Sequence, residues 1–386
     1  MTMLSEIAQI NPKLTVRLDD DEPVSFLGMA DVSEDGETNW GDERSFSAVR
    51  KGYTPFLNGD LLVAKITPCF ENGKIAQAKT NHMHAFGSTE FHVVRVDDSQ
   101  ADDRYVLHLL RSPSVRTSGA KRMTGSAGQK RVPKAFLETL DVPLPPLPEQ
   151  RRIADILDRA DDLRAKRRRA LSLLDDLTNA AFIGMFGDPA SATSRYDRRA
   201  IGDLGTVVTG NTPSRAIPEN FGDAIEWIKS DNLSTNADVA SVASEWLSHS
   251  GRARSRTVPA GSVLVTCIAG SPNSIGNAAI VDREVAFNQQ INAIIPNEEF
   301  DSWFLLYQLR NGKALVQAAS TGGMKGLVSK SRFESISLLA PPRSAQQRFG
   351  EIVAAAQRMK SVQLSGLTKL DELFVSLQHR AFQGEL

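Results

Sequence analysis

The segment Pro143-Leu-Pro-Pro-Leu-Pro-Glu-Gln-Arg-Arg152 introduces a run of about 36 residues whose pattern predicts one long helix. The prolines exclude a regular strand or helix in the entry itself and stiffen it. Glu149 follows them, where a carboxylate suits the positive end of a helix dipole. Glycine and proline after Phe186 predict the end of this helix, and the rest of the fold is expected to be organised around it.

Apolar or small residues recur along this helix at alternating steps of four and three, which is typical of a coiled-coil seam. Arg167 is a single polar layer in that series. Such a narrow stripe predicts one partner helix rather than a broad core. The predicted seam contains Ile156, Ala160, Leu163, Ala170, Leu174, Leu177 and Ala181.

The chain supplies the partner helix, because the same pattern recurs 196 residues later. The offset places Pro341-Pro342 on Pro145-Pro146, Gln346 on Gln150 and the polar Gln363 on Arg167. A match of this length at one offset indicates a tandem duplication of about half the chain. The second predicted seam contains Ile352, Ala356, Met359, Gly366, Leu370, Leu373 and Leu377.

The sequence is therefore interpreted as an α+β fold with two globular mixed α/β domains, each followed by a long helix, and the two long helices are expected to pair as a coiled coil. Strand-like runs such as 60–66 and 90–96 in the first half, and 261–268 and 291–295 in the second, support this interpretation. The predicted boundaries are 1–142 for the first domain, 143–187 for the hinge and central helix, 195–340 for the second domain and 341–386 for the second hinge and helix.

Composition limits the class of protein. Of the 386 residues, 41% are hydrophobic and 24% charged, as in ordinary globular proteins. Cys69 and Cys267 lie in apolar runs and are expected to be buried free thiols in a reducing compartment. No apolar run predicts a membrane span or a secretory signal, so a cytoplasmic protein is expected. The net charge of −1 does not predict a polyanion partner, although local patches matter more than the sum.

Sequence signals for catalysis are poor. No phosphate-binding G-x-x-x-x-G-K-[ST] loop and no G-x-G-x-x-G motif occurs. The spacing from Glu71 to Lys74 is one residue too long for a metal-dependent nuclease motif, and a turn is the better interpretation. His82 and His84 lack a second pair of ligands, so no metal site is predicted. These motifs therefore give no positive signal for catalysis.

A basic loop punctuated by Gly119, Gly125 and Gly128 is the best candidate for binding. Glycine lets backbone amides approach an anion, and the side chains offer donors for phosphate or base edges. For either copy considered alone, the alternative to a binding loop is a loop that is merely solvated. The recurrence of a basic, glycine-containing loop in both halves counts against this alternative. The candidates are Lys121, Arg122, Thr124, Ser126, Gln129, Lys130 and Arg131, and in the second copy Thr321, Lys325, Ser329 and Lys330.

Two amide-rich stretches of the second half are further candidates, because amides suit bidentate reading of adenine. They carry Asn273 and Asn277, and Gln289 and Gln290. Turn chemistry is an equally good explanation for them. The cationic run 166–169 on the long helix has Asp161 and Asp162 nearby, which favours a solvated face over a DNA contact.

This pattern resembles the specificity subunit of type I restriction–modification enzymes. The resemblance rests on two variable domains, each followed by a proline hinge and a long helix, and on Pro145-Pro-Leu-Pro-Glu-Gln-Arg-Arg-Ile153, which is similar to the family's central signature. The second signature, Pro341-Pro-Arg-Ser-Ala-Gln-Gln-Arg-Phe349, departs from the pattern at Ala345 and Phe349. The resemblance covers essentially the whole chain.

The resemblance implies that each domain is a target recognition domain that reads one half of a split double-stranded DNA sequence. It also implies that the two long helices pair antiparallel as a spacer, which relates the duplicated halves by a pseudo-two-fold axis. It implies two modification subunits as partners, which methylate adenine, and restriction subunits in the complete complex. The chain itself is then expected to be non-catalytic. S-adenosylmethionine, ATP and Mg are expected on the partners, with no cofactor on this chain and no membrane association. Two alternatives remain open, a coiled-coil scaffold with two ligand- or protein-binding modules, and a hydrolase or nuclease that acts alone.

Overall fold

The computed structural model describes residues 2–126, 128–233, 237–321 and 326–386. The chain forms two compact units, unit 1 with residues 1–169 and 363–386, and unit 2 with residues 170–362. Two long helices, Leu147–Phe186 and Arg343–Gln383, each contribute one part to each unit. The long helices expected from the sequence are therefore present, and the first starts at Leu147, two residues before Glu149.

Unit 1 begins with a short strand and contains ten strands and five short helices within its described residues. The strands are β1 (Thr2–Met3), β2 (Ala8–Ile10), β3 (Pro23–Leu27), β4 (Asp42–Ser45), β5 (Thr54–Leu57), β6 (Leu61–Ala64), β7 (Ile75–Gln77), β8 (His84–Gly87), β9 (Phe91–Val96) and β10 (Asp141–Val142). The helices are α1 (Leu4–Ile7), α2 (Phe46–Val49), α3 (Asp103–Leu110), α4 (Pro113–Lys121) and α5 (Lys134–Glu138).

Unit 2 repeats this order of elements. Its strands are β11 (Arg198–Ala200), β12 (Gly205–Thr209), β13 (Phe221–Ile228), β14 (Trp246–Leu247), β15 (Thr257–Val258), β16 (Val263–Thr266), β17 (Ile268–Ala269), β18 (Ala278–Ile280), β19 (Val285–Phe287), β20 (Ile291–Pro296), β21 (Gly326–Leu327) and β22 (Ser337–Leu339). Its short helices are α6 (Ile201–Leu204), α7 (His249–Ala253), α8 (Ser302–Asn311), α9 (Lys313–Ala318) and α10 (Lys330–Glu334).

Both units contain the same pair of four-stranded sheets. In unit 1 the strand orders are β2-β9-β6-β7, all antiparallel, and β4-β3-β8-β5, with β3 and β8 parallel. In unit 2 the orders are β12-β20-β16-β18 and β14-β13-β19-β15, with β13 and β19 parallel. The single parallel pair falls at the same place in both units. The predicted duplication is thus present in the topology, where a chance match of strand order and direction is improbable.

The central strands are apolar because both of their faces are covered. All four residues of β6 are buried, and so are all four of β16. Each unit closes its core against the long helices. In unit 1, Tyr105 of α3 belongs to the same buried cluster as Leu157 and Phe374. In unit 2, the ring of Phe182 lies 5.8 Å from that of Phe304 and 5.3 Å from that of Phe349.

A buried glutamine from each proline hinge fixes the long helix to its unit. The side-chain oxygen of Gln150 accepts from the backbone N–H of Asp102 at 2.9 Å, and its amide donates to the carbonyl of Pro145 at 2.8 Å. Gln346 makes the equivalent bonds to Asp301 at 2.8 Å and to Pro341 at 2.9 Å. The sequence motif shared by the two hinges is therefore a structural lock at the start of α3 and of α8.

The helix pairing within each unit corrects part of the predicted seam. Ala160, Leu174 and Ala356 are buried as expected. Six further predicted positions are half-buried, namely Ile156, Ala170, Ala181, Gly366, Leu370 and Leu377. The other five, Leu163, Leu177, Ile352, Met359 and Leu373, are 38–60% exposed.

The inward positions are the next residues in sequence, Leu157, Arg164, Thr178, Val353, Lys360 and Phe374, about 100° further round the helix. The prediction failed because some of these positions carry polar side chains. Within unit 1, the Nε of Arg164 contacts the Asp371 carboxylate at 2.6 Å. Within unit 2, the Nζ of Lys360 contacts Asp175 at 2.5 Å and Asp238 at 3.0 Å. Burial opposes the charge of Lys360, but hydrogen bonds to both carboxylates outweigh it and raise its pKa.

These contacts give the direction of the helices within unit 1. Arg164 pairs with Asp371, and Arg167 donates to the side-chain oxygen of Gln363 at 2.5 Å. Residue numbers rise on one helix as they fall on the other, so the paired segments are antiparallel. The predicted polar layer of Arg167 and Gln363 is present.

Candidate nucleic-acid interface

In unit 1 the basic loop is fixed to the end of β6. The backbone N–H of Val132 donates to the carbonyl of Lys65 at 2.8 Å, and that of Thr67 donates to Lys130 at 2.9 Å. Lys65 donates in turn to the carbonyl of Glu90 at 2.8 Å. These bonds join three segments, 65–67, 88–90 and 124–132, which we call the unit 1 junction.

Unit 2 builds the same junction from 266–269, 288–290 and 326–328, the unit 2 junction. The N–H of Val328 donates to the carbonyl of Cys267 at 2.8 Å, and the N–H of Cys267 donates to Gln290 at 2.8 Å. Strands β17 and β21 pair beside these bonds. The amide-rich turn and the described part of the second basic loop, which were predicted separately, are thereby brought together.

Most basic-loop candidates of unit 1 present their side chains to solvent. The loop is a hairpin closed by the pairing of Thr124 with Arg131, and Gly125 and Gly128 have the positive φ that its turn needs. A side chain at Gly125 would meet the carbonyl of Gln129 at 2.7 Å. The exposed candidates are Lys121, Arg122, Thr124, Ser126, Gln129 and Lys130.

Arg131 has an internal partner instead. Its Nε and Nη2 donate to the two carboxylate oxygens of Glu90 at 2.9 and 2.8 Å. The hydrogen bond from Arg131 lowers the pKa of Glu90. The positive charge predicted to face DNA is thus already neutralised within unit 1, where it holds the hairpin to the 88–90 turn.

The amide candidates of unit 2 divide into exposed and internal residues. Asn273 and Gln289 are exposed. The side-chain oxygen of Gln290 accepts from Asn288 at 3.0 Å, and that of Asn277 accepts from Lys313 at 2.6 Å. The side chains of Gln290 and Asn277 thus form hydrogen bonds within unit 2, as the alternative interpretation of turn chemistry predicts.

The described residues on either side of the second basic loop form short-range hydrogen bonds. Thr321 pairs with Leu327 across the loop, and its hydroxyl donates to the Leu327 carbonyl at 3.3 Å. Ser329 is the N-cap of α10, and Lys330 lies 3.5 Å from Glu334 one turn later. Both Ser329 and Lys330 remain exposed. The candidate Lys325 lies outside the described residues.

The two junctions share a backbone and differ in chemistry. Lys65, Glu90 and Arg131 of unit 1 occupy the places of Cys267, Gln290 and Leu327 in unit 2. The first set carries charge, whereas the second is neutral. Burial raises the pKa of Cys267 to about 12, so its thiol stays protonated at neutral pH. One backbone arrangement therefore carries two chemically different sets of side chains.

Sequence reasoning missed two features of this region. Helix α4 follows α3 immediately, with Ser112 accepting from Val115 as its cap. The Ser-Pro pair followed by Val115 and the small residues of 117–120 was the available signal for a helix start. Lys65 was also missed, and the charge difference between positions 65 and 267 could have indicated it.

The described residues contain no cluster of His, Cys, Asp or Glu side chains that could hold a metal ion. The Nε2 of His82 lies 2.8 Å from the Glu43 carboxylate. In the described part of the chain, no helix combines the length and apolar character needed to cross a membrane.

Comparison with known proteins gives a consistent result. The family model of the type I restriction modification DNA specificity domain matches twice, at residues 4–172 and 194–368. The chain is 45% identical over 155 residues to the type I restriction enzyme EcoAI specificity subunit of Escherichia coli, across 39% of this chain and 26% of that protein. It is 20% identical to the putative MjaX specificity subunit of Methanocaldococcus jannaschii, across 79% of this chain and 71% of that protein.

The match to the Escherichia coli proteins thus spans only about a quarter of their length. Two solved structures share the fold. One comes from a study of complex assembly and conformational transition of the type I R-M system, with 17% identity, a TM-score of 0.56 and coverage of 100% of this chain and 97% of that chain. The other is the type I restriction-modification system S subunit from M. genitalium, with 13% identity, a TM-score of 0.56 and coverage of 99% and 95%.

Proposed function

This chain belongs to the family of type I restriction modification DNA specificity domains, and we propose that it is the DNA sequence-recognition subunit of a type I restriction–modification complex. It reads a bipartite, asymmetric target with one unit for each half-site. The observation that carries this proposal is the repeated junction, which has one backbone and two sets of side chains. Two readers of one architecture and different chemistry suit two half-sites of different sequence.

The exposed candidates suit contact with a DNA duplex. Lys121, Arg122 and Lys130 in unit 1 supply cations for phosphates, and Lys330 supplies one in unit 2. Thr124, Ser126 and Gln129, and in the other unit Asn273, Gln289 and Ser329, supply the hydroxyl and amide groups that read base edges. The net charge of −1 is consistent with a subunit that leaves part of the phosphate contact to its partners.

The exposed apolar residues on the long helices support docking of two modification subunits there. Isolated exposed apolar residues need no explanation, but a row along one helix does. In unit 2, the exposed Leu173 and Leu177 lie one turn apart on the first long helix, and the exposed Ile352, Met359 and Val362 recur at helical spacing on the second. Three of these residues, Leu177, Ile352 and Met359, were assigned to the seam by the sequence and in this proposal contribute to a partner surface.

In this proposal the chain is non-catalytic and acts in the cytoplasm. The modification subunits methylate adenine and hold S-adenosylmethionine. Restriction subunits, where present, bring ATP and Mg. The proposal therefore assigns recognition and assembly to this chain, and all bond-making and bond-breaking to its partners.

Substitution of the two loop lysines tests the proposal. Lys130→Ala and Lys330→Ala should each weaken DNA binding by the assembled complex about fivefold to tenfold at 0.1 M salt, because one counterion-releasing contact is lost. The slope of log affinity against log salt should fall by about 0.9 in each variant. Lys166→Ala is the control, because Lys166 pairs with Asp162 at 2.6 Å on the long helix. Unchanged affinity and slope in both loop variants would remove these loops from the interface.

Mapping of methylated adenines tests the bipartite reading. Host DNA should carry methyladenine in one split sequence when this chain and its methyltransferase are present together. Replacement of residues 2–142 by those of a relative with another target should change one half of that sequence and preserve the other. A change in both halves would contradict the assignment of one half-site to each unit.

A further inference from the structure

An open cavity of about 430 Å³ lies beside the basic loop of unit 1, between α4 and the segment that follows β6. Its lining is Glu71, Pro113, Arg116, Thr117, Ala120 and Lys121. Five of the six belong to one face of α4, since they recur at helical spacing. Lys121 is also the first residue of the predicted DNA-binding loop, so the cavity continues that surface.

Arg116 carries a positive charge without a compensating anion. Its Nη1 donates to the backbone carbonyl of Glu71 at 3.0 Å, while its buried Nε has no hydrogen-bond partner among the described residues. No carboxylate forms a salt bridge with it in the described part of the chain. Burial, followed by the nearby charge of Arg111, lowers the pKa of Arg116. An uncompensated, partly buried guanidinium is costly, and an anion in the cavity would offset that cost.

Unit 2 shows what this position needs for structure alone. Gln317 of α9 occupies the corresponding place, and its amide donates to the carbonyls of Pro272 and Ile275 at 3.3 Å. A neutral side chain is therefore sufficient to tie the helix to the loop after the central strand. Unit 1 makes the same type of contact with a cation, and the additional charge has no structural role in the described contacts.

We propose that Arg116, with Thr117 and Lys121, binds a backbone phosphate of the DNA half-site that unit 1 reads. The inference rests on the proposed function and adds a phosphate subsite for which the described part of unit 2 has no equivalent arginine. Guanidinium groups match phosphate oxygens with paired donors, and the open cavity admits a phosphodiester from the side of the loop. In this proposal unit 1 contacts the DNA phosphate backbone through an arginine that has no equivalent in the described part of unit 2.

Glu71 also lines the cavity and opposes an anion. One of its oxygens accepts from the Thr67 hydroxyl at 2.6 Å, whereas the other is buried and has no partner among the described residues. Its negative charge should reduce the affinity for phosphate, so that the two charged residues of the cavity have opposite effects on DNA binding. Substitutions of Arg116 and Glu71 should therefore change the affinity for DNA in opposite directions, and the experiment measures both.

The experiment compares four full-length variants in the assembled complex on a duplex that contains the methylation site. Arg116→Gln copies the side chain of unit 2 and should keep the fold. It should weaken DNA binding about fivefold to tenfold at 0.1 M salt and lower the salt slope by about 0.9. Glu71→Gln should strengthen binding. Lys166→Gln and Asp162→Asn make the same changes in net charge on the long helix, within one exposed ion pair, and should leave binding unchanged.

Ethylation of single phosphates locates the contact. Wild-type protein should lose binding when one particular phosphate of the unit 1 half-site is ethylated, and Arg116→Gln should be indifferent to that modification. An identical interference pattern and salt slope in wild type and Arg116→Gln would overturn the inference. A second result would also overturn it. Inorganic phosphate would raise the melting temperature of the wild type but not of Arg116→Gln, while the two proteins bind DNA with equal affinity. If wild-type complex does not bind DNA specifically, the proposed function fails first.

Discussion

Truncation of the hinge glutamine should destabilise its unit far more than truncation of its neighbour. Gln346 is 1% exposed, and the adjacent Gln347 is exposed. Gln346→Ala and Gln347→Ala therefore make the same chemical change at adjacent positions of one helix. The comparison isolates the buried hydrogen bonds of Gln346, because the change in helix propensity is the same in both variants and cancels in the difference between them.

The magnitude follows from the bonds that are lost. Gln346 accepts from the N–H of Asp301 at 2.8 Å and donates to the carbonyls of Pro341 at 2.9 Å and Glu299 at 3.2 Å. Each buried group left without a partner costs about 1–3 kcal/mol, reduced where water enters the space. We expect Gln346→Ala to lower the free energy of unfolding by about 3 kcal/mol. Gln347→Ala should change it by less than about 0.5 kcal/mol.

Two measurements check this prediction. Guanidinium denaturation gives the free energy of unfolding of each variant. Hydrogen exchange followed by mass spectrometry shows where the chain opens, and the start of α8 should lose protection because its Asp301 N–H has lost its acceptor. Gln150→Ala should have the same effect at the start of α3 in unit 1. A Gln346→Ala variant as stable as Gln347→Ala would refute the view that the hinge motif is a structural lock.

Three further outcomes are expected. Arg131→Leu should lower stability above pH 5 and have less effect below about pH 4.5, because the depressed pKa of Glu90 stabilises the fold only while its carboxylate is ionised; a pH series of thermal melts measures this difference. Lys360→Met should cost about 3 kcal/mol in denaturant unfolding, because it leaves two carboxylates around a buried site; no loss would contradict a structural role for this ion network. Leu177→Glu should leave the melting temperature unchanged and prevent co-purification with the modification subunit, whereas Leu174→Ala should cost about 2–5 kcal/mol; retained assembly of Leu177→Glu would refute the docking surface.

The duplication and its two long helices were predictable from sequence because they depend on local patterns. Proline hinges, periodic apolar residues and the repeat of Pro145-Pro146 at Pro341-Pro342 are all readable along the chain. The predicted strands at 60–66 and 291–295 are present as β6 and β20 for the same reason, since a buried strand needs a short apolar run between turns. The family, identified from these motifs, is confirmed by the comparisons.

The side-chain partners were not predictable, because they lie far apart in sequence. The sequence predicts that Arg131 is a cation available to DNA, but its guanidinium donates hydrogen bonds to Glu90, which is 41 residues away in the chain. Five of the predicted seam positions are exposed, and Arg164 and Lys360 face inward beside two of them because distant segments supply their carboxylate partners. Sequence alone thus determined which elements form and that they occur twice. Only the tertiary structure decided which charges are neutralised and which remain available, because a charge can be buried only where the fold brings a partner to it.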